Sequence, residues 1–211
     1  MHFRTITALA LAALGVTASG VALGQSAATT STSPTTTAES WRMPYQRGFW
    51  GHAGLSFGQS KLGDSCVGTL ACDDKDQTFR LYAGGRFNNA VGLEAGLMNF
   101  GKFDRGGGRT DGWGLDATLV AGFPIGTNSA VFGKLGAIYA RTEVEGTPAG
   151  VAAGLTTGKE RGFGPRFGIG AQIGFTPQWA ARLDVDRFRI PLPGGKEDLD
   201  TVMLGVQYTF R

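Results

Sequence analysis

The sequence predicts an all-β fold: an eight-stranded antiparallel up-and-down transmembrane β-barrel over residues 48–211. Three observations carry that expectation. From Gly48 onward, segments of roughly ten residues alternate between apolar positions and polar or glycine positions. Tight turns alternate with longer polar stretches between those segments. Aromatic side chains on the apolar parity gather at both ends of the segments, around an aliphatic middle.

Taken in order, residues 1–24 carry Arg4, an apolar run and then small residues, the pattern of a secretory signal peptide. The run is short and fades into Ala, Ser and Gly, which argues against a membrane anchor. Ala22 and Gly24 set a small-x-small cleavage site before Gln25, with Ala28 as the alternative. Residues 25–47 are rich in Ser, Thr and Ala and hold little apolar surface to bury, so a flexible leader is expected.

The alternating segments follow. Their apolar parities are Phe49, Ala53, Leu55, Phe57; Phe79, Leu81, Ala83, Phe87; and Val91, Leu93, Ala95, Leu97. Next come Trp113, Leu115, Ala117, Leu119, Ala121, Phe123, then Val131, Leu135, Ala137, Tyr139. The last three carry Phe163, Phe167, Ile169, Ala171, Ile173, Phe175; Trp179, Ala181, Leu183, Val185; and Val202, Leu204, Val206, Tyr208, Phe210. Asn88-Asn89, Gly126-Thr127-Asn128 and Thr176-Pro177-Gln178 read as tight turns. The stretches near 60–76, 102–111, 143–161 and 189–199 read as long, Gly-rich loops.

A soluble eight-stranded barrel is the alternative, and two features oppose it. Phe49, Phe87, Phe123, Phe175, Trp179 and Phe210 form one aromatic ring at the turn end, while Phe57, Phe79, Trp113, Tyr139 and Phe163 form another at the loop end. The opposite parity interleaves charges with Gly54, Gly84, Gly92, Gly96, Gly136, Gly168, Gly170 and Gly205, which suits the narrow inside of a small barrel. The apolar face is therefore expected to meet lipid.

The 211 residues suit one domain with a leader. Glycine contributes 35 of them, here inside patterned segments. A formal charge of +3, with basic residues scattered among acids, excludes a nucleic-acid footprint. The only cysteines, Cys66 and Cys72, would lie in an oxidising compartment, where a local disulfide is expected. Their spacing is not C-x-x-C and no nearby thiol or histidine completes a metal site.

With these segments, residues 48–211 resemble the OmpA-like transmembrane barrel family. The resemblance is carried by FRLYAGGRFNNAVGLEAGLMNFGK (79–102), LGAIY (135–139) and GAQIGFTPQWAARLDVDRF (170–188). It implies an outer-membrane location, with a periplasmic N-terminus, extracellular long loops and insertion by the barrel-assembly machinery. The terminal VMLGVQYTF resembles the signal that machinery reads, although Arg211 follows Phe210. Better-known relatives carry a peptidoglycan-binding domain after the barrel, so a barrel-only member is expected here. The family's inner charged cluster would match Glu94 and Arg182; Gln172 stands where relatives often carry a second Glu, and Val120 where they have Lys. One of two ion pairs is thus expected to be replaced, leaving Lys134 free to approach Glu94.

Counting from the turns points the same way. Glu94, Lys134, Gln172 and Arg182 lie on the inward parity at similar depth, and Asp116 and Asp184 could add acceptors. Such a layer is a gate if its partners switch, or a satisfied polar plug; narrow barrels are usually filled, which favours the plug. Catalysis would need a nucleophile and a base in reach. Past the signal peptide the only histidine is His52, and its same-face neighbour Ser56 lies about 13 Å along the strand, so the chain is not expected to be an enzyme and His52 is expected to pack in the interior. Asp73, Asp74 and Asp76 lack the oxygen-ligand spacing of a calcium loop, so a solvated loop is expected, and no cofactor or metal is implied. FDRGGGRTDG (103–112) lacks the Lys-Ser/Thr of a phosphate loop, but its Arg105 and Arg109 could touch lipopolysaccharide phosphates. The sequence therefore predicts a monomeric, non-enzymatic outer-membrane barrel serving envelope integrity and surface interaction, its loops free to contact a surface or host ligand. A narrow gated pore for small solutes or ions is the alternative.

Overall fold

The computed structural model describes residues 50–63, 72–88, 90–105 and 107–210, the side chains of Cys72 and Arg105 excepted. The expected signal peptide, leader and Cys66–Cys72 disulfide lie outside the described residues. Eight long strands form one closed antiparallel sheet: β1 (Trp50–Leu62), β2 (Lys75–Arg86), β3 (Val91–Arg105), β4 (Gly108–Ile125), β5 (Ser129–Gly146), β6 (Gly158–Gly174), β7 (Trp179–Leu192) and β8 (Gly195–Thr209). Each strand pairs with the next, and β1 pairs with β8 from His52↔Thr209 to Leu62↔Leu199, which closes the up-and-down barrel. A two-residue bridge, Cys72–Asp73, pairs with the end of β3. A short helix, α1 (Pro148–Ala152), sits in the β5–β6 connection; the Thr147 hydroxyl caps it by accepting from the Gly150 amide.

The period-two pattern sorts side chains between two faces. Leu119, Leu135, Ile169 and Leu204 face outward and are 44 to 67 % exposed. Aromatics flank this aliphatic band, with Trp179, Phe123 and Phe175 toward the short turns and Phe57, Trp113 and Phe163 toward the loops. An apolar belt of that extent around a closed sheet is a lipid-facing surface.

Two of the expected long loops are instead mostly strand. β3 runs to Arg105 and β4 begins at Gly108, with Gly107 at a φ of +94° in the turn. Likewise β7 runs to Leu192 and β8 begins at Gly195, with Gly194 at +100°. For the β3–β4 extension the physical reason is a bulge. The register between β3 and β4 shifts at Asn99/Gly101, so the inward parity changes from Phe100 to Phe103, and a fixed alternation no longer recognises the strand. Phe103, Ile190, Leu192 and Leu199 are all buried inside these extensions.

The lumen is filled along its length by two kinds of side chain. Toward the loop end, Met98, Phe100, Ile138, Phe188, Leu199 and Met203 belong to one buried apolar cluster. Toward the turn end the inward positions include most of the buried charges, interleaved with Tyr82, Val120 and Phe132.

Candidate functional site

Small residues make the charged interior possible. His52, Gly84 and Glu94 lie on one register row across β1, β2 and β3, and a Cβ at Gly84 would press on both the Glu94 and His52 side chains. His52 Nε2 therefore reaches Glu94 Oε1 at 3.2 Å across the gap. The same device recurs. Thr118, Gly136 and Arg166 share a row, as do Lys134, Gly168 and Asp186, and a side chain on Gly168 would overlap the Asp186 carboxylate. Arg80 leans across Gly96 to Asp116. Each polar contact spans two strands over a glycine, so charged groups from distant strands can meet in a narrow lumen.

The strongest contact crosses the barrel. Arg182 on β7 holds Glu94 on β3 through two nearly parallel bonds, Nη1 to Oε1 at 2.7 Å and Nη2 to Oε2 at 2.9 Å. The same guanidinium donates Nη1 to Gln207 Oε1 at 3.0 Å and Nε to Asp184 at 3.0 Å. Its plane is further held by the rings of Phe132 and Tyr82, whose centroids lie 4.3 and 4.7 Å from its central carbon.

Nearer the loop end, Asp116 receives Arg80 Nη2 at 2.7 Å and Arg80 Nε at 3.0 Å, and also Arg166. Arg166 then donates to Asp186 at 2.9 Å and to the Thr118 hydroxyl at 3.1 Å. Lys134 joins the two tiers by donating to Asp184 and Asp186, each at 2.7 Å. The connected set holds four cations (Arg80, Lys134, Arg166, Arg182) and four carboxylates (Glu94, Asp116, Asp184, Asp186), all buried. Equal numbers in one network are what allow so many ionised groups out of water, since a lone buried charge is prohibitive.

Of the residues singled out from sequence, the structure brings Glu94, Arg182 and Asp184 together, and places Asp116 and Lys134 in the same network. Gln172 lies directly across from Arg182 and is buried. Lys134 does not approach Glu94. Its register row crosses Gly168 to Asp186, on the far side of the network, and the glycine gap steers the ammonium there. Arg109 makes a loose, exposed contact with Asp104 at 3.8 Å, and the Arg105 side chain lies outside the described residues. Asp73 accepts from the Lys75 amide, Asp74 faces Lys61 at 3.4 Å and Asp76 accepts from the Lys102 amide, so the three acids have separate partners. Among the described residues no group of His, Cys, Asp and Glu converges as a metal site.

Sequence reasoning missed Arg80, Arg166 and Asp186. All three lie on the inward parity, as Phe79, Phe167 and Arg187 beside them face outward, so parity was the available signal. A depth count restricted to one layer left them out.

A closed eight-stranded sheet with an apolar outer belt and a balanced charge network inside it fits the comparison with known proteins. Residues 8–210 match the family model for the outer membrane protein beta-barrel domain. The chain belongs to that family. Its fold is similar to that of Ail, the attachment invasion locus protein of Yersinia pestis, at 17 % identity and a TM-score of 0.55, covering 78 % of this chain and 100 % of that one. It is also similar to Neisserial surface protein A, at 14 % identity and a TM-score of 0.54, over 77 % of this chain and 97 % of the other. The outer membrane protein OprG of Pseudomonas aeruginosa shares 16 % identity at a TM-score of 0.52, over 79 % and 98 % of the two chains. Among curated proteins none matches the chain. At these identities the likeness shows the fold alone, so function is argued from the barrel's own residues.

Proposed function

We propose that this family member is a sealed, non-enzymatic barrel that supports envelope integrity and presents its loop end for surface interactions. One observation carries the reading: above the neutral charge network, the lumen is filled by Met98, Phe100, Ile138, Phe188 and Met203, each at most 1 % exposed. A gated pore would have to separate a bidentate ion pair and also displace this apolar plug, and hydrophobic constrictions oppose ion passage by dewetting. His52 is held against Glu94 inside the wall, where no substrate reaches it, which supports the absence of catalysis.

The N-terminus is assigned to the periplasm and the loop end to the cell surface, with lipid and lipopolysaccharide around the belt and the barrel-assembly machinery needed for insertion. Ail has been solved in complex with the heparin analogue sucrose octasulfate, which supports a ligand-binding reading for a barrel of this fold. Planar-bilayer recording tests the reading: the wild-type barrel is expected to give no steady single-channel openings, and Phe100→Ala combined with Phe188→Ala to introduce leak. Steady wild-type openings would replace it with the pore.

A further inference from the structure

We propose that the outer face of β7, β8 and β1 is a membrane-thinning surface, where water and lipid headgroups descend to the Arg187–Asp200 pair. The apolar belt is not equally tall all round. Phe175 and Trp179 flank the β6–β7 turn, the Phe175 amide donating to the Trp179 carbonyl at 3.0 Å, so both strands start their outward apolar runs nearly level. The β6 run reaches Phe163, twelve residues on, whereas the β7 run stops at Val185 after six, and Arg187 follows. Trp113 and Tyr139 top the runs of β4 and β5; on β8 and β1 they end at Val202 and Phe57, with Asp200 and Gln59 next. Followed once round the wall, the register row of Gly85 returns to β2 at Lys75, ten residues higher. That shear tilts the strands by about 40°, so each residue adds about 2.5 Å of height. The β7 run is therefore about 15 Å tall against about 30 Å on β6, where about 25 Å is usual.

The shortfall lies at the loop end, because turn-end aromatics stand on the short side (Trp179, Phe210) as on the long side (Phe123, Phe175). Tilting the barrel would level one end only by unlevelling the other, so the lipid must give. The step falls where the β6–β7 ladder stops at Arg166↔Phe188, since Pro165 has no amide to extend it. Arg187 and Asp200 stand on this step in a bidentate pair at 2.6 and 2.7 Å. Phe167, Arg187 and Asp200 on one row, with Ile169, Val185 and Val202 on the row below, help line a groove of about 510 Å³. That volume holds several waters or the polar end of a lipid. The charges above it are matched. Arg189 faces Asp198 at 4.0 Å and Lys61 faces Asp74 at 3.4 Å; Asp73 accepts from the Lys75 amide, and Lys196 adjoins Glu197. A face without excess charge suits the zwitterionic interface and water of a thinned leaflet, rather than an anionic ligand or a strongly charged protein.

Single spin labels test the proposal in the full-length barrel carrying Cys66→Ser and Cys72→Ser, in dioleoylphosphatidylcholine vesicles. Val202 shares a row with Gly133, four residues below Ala137, and the rise of that row over three strands makes up the difference, so the two positions are about equally high. A label at Val202→Cys should be at least about twofold more accessible to a water-soluble nickel chelate than one at Ala137→Cys. Adding Arg187→Leu and Asp200→Leu should remove the difference, with folding established by heat-modifiable migration on gels. Equal accessibility, or a difference that survives the leucines, overturns the proposal. Exclusion of both nickel and oxygen at Val202 overturns it in favour of a protein contact, such as a second copy of this chain. With the native cysteines in place, the two leucines should raise the urea unfolding midpoint more in dioleoyl than in dilauroyl vesicles. An equal or reversed response to bilayer thickness also overturns it.

Discussion

Toward its turn end the lumen is filled by Arg80, Glu94, Asp116, Lys134, Arg166, Arg182, Asp184 and Asp186; toward its loop end by Met98, Phe100, Phe103, Ile138, Phe188 and Leu199. The same strands supply both fillings. β3 carries Glu94 and then Met98 and Phe100, and β7 carries Arg182, Asp184 and Asp186 before Phe188 and Ile190. Both regions exclude water, but they do so under different constraints. The apolar half needs volume and tolerates exchange between side chains of similar size. The charged half needs each donor and acceptor in place, because removing one partner strands another charge out of water. The difference predicts different responses to substitutions that barely change volume.

The largest contrast is between Asp116→Asn and Met98→Leu. Asp116 is the shared acceptor of two buried guanidiniums, so the neutral amide leaves both under-compensated. A loss on the order of 3–5 kcal/mol is expected, read from the urea unfolding midpoint of the barrel in lipid vesicles. Met98→Leu should cost less than about 1.5 kcal/mol. Equal midpoint shifts would erase the distinction between the halves.

Next in size is the cycle on the pair that crosses the lumen. Glu94→Ala and Arg182→Ala should each cost about 3–5 kcal/mol, and adding the second to the first should cost little more. Asp184 also depends on Arg182, so a small residual cost of Arg182→Ala in the double variant is expected from that contact. Fully additive losses would show that the bidentate pair does not act as a unit.

Glycine substitutions sharpen the account of how the charges meet. A methyl group on Gly168 overlaps the Asp186 carboxylate and sits in the path of Lys134, so Gly168→Ala is expected to cost about 1–3 kcal/mol. Gly133, one residue from Lys134, has nothing within 4 Å of an added Cβ, and Gly133→Ala should stay within about 0.5 kcal/mol. Comparing the two midpoints isolates the gap from the general effect of removing a glycine.

These glycine gaps also explain which parts of the site could be read from the chain. The outer belt was legible because alternation is local: Leu93, Leu119 and Leu135 announce their face within a few residues. Glu94 with Arg182 was legible because both lie at similar depth from a recognisable turn. The partner of Lys134 was not. It depends on which residues of β5, β6 and β7 share a row, and that register is set by closure of the whole sheet. The bulge at Gly101 hid Phe103 for a related reason, since one extra residue reverses the faces of the β3 residues after it. Arg80, Arg166 and Asp186 were within reach of parity alone.

The smallest expected effect comes from repeating the Asp→Asn change on the outside of the barrel. Asp200 accepts two bonds from Arg187, at 2.6 and 2.7 Å, a geometry as good as that between Glu94 and Arg182. Both partners are about half exposed, however, with 58 % and 47 % of their side-chain surfaces open. A pair that keeps its contact with polar surroundings contributes little, because neither partner is stranded when the other is neutralised. Asp200→Asn should therefore shift the unfolding midpoint by the equivalent of about 0.2–1 kcal/mol, and less at high salt. Asp116→Asn should be nearly independent of salt, since its partners lie beyond the reach of mobile ions. If the two substitutions cost the same, hydrogen-bond geometry rather than burial would govern the energetics of both pairs, and the contrast between the inside and the outside of the wall would fail with it.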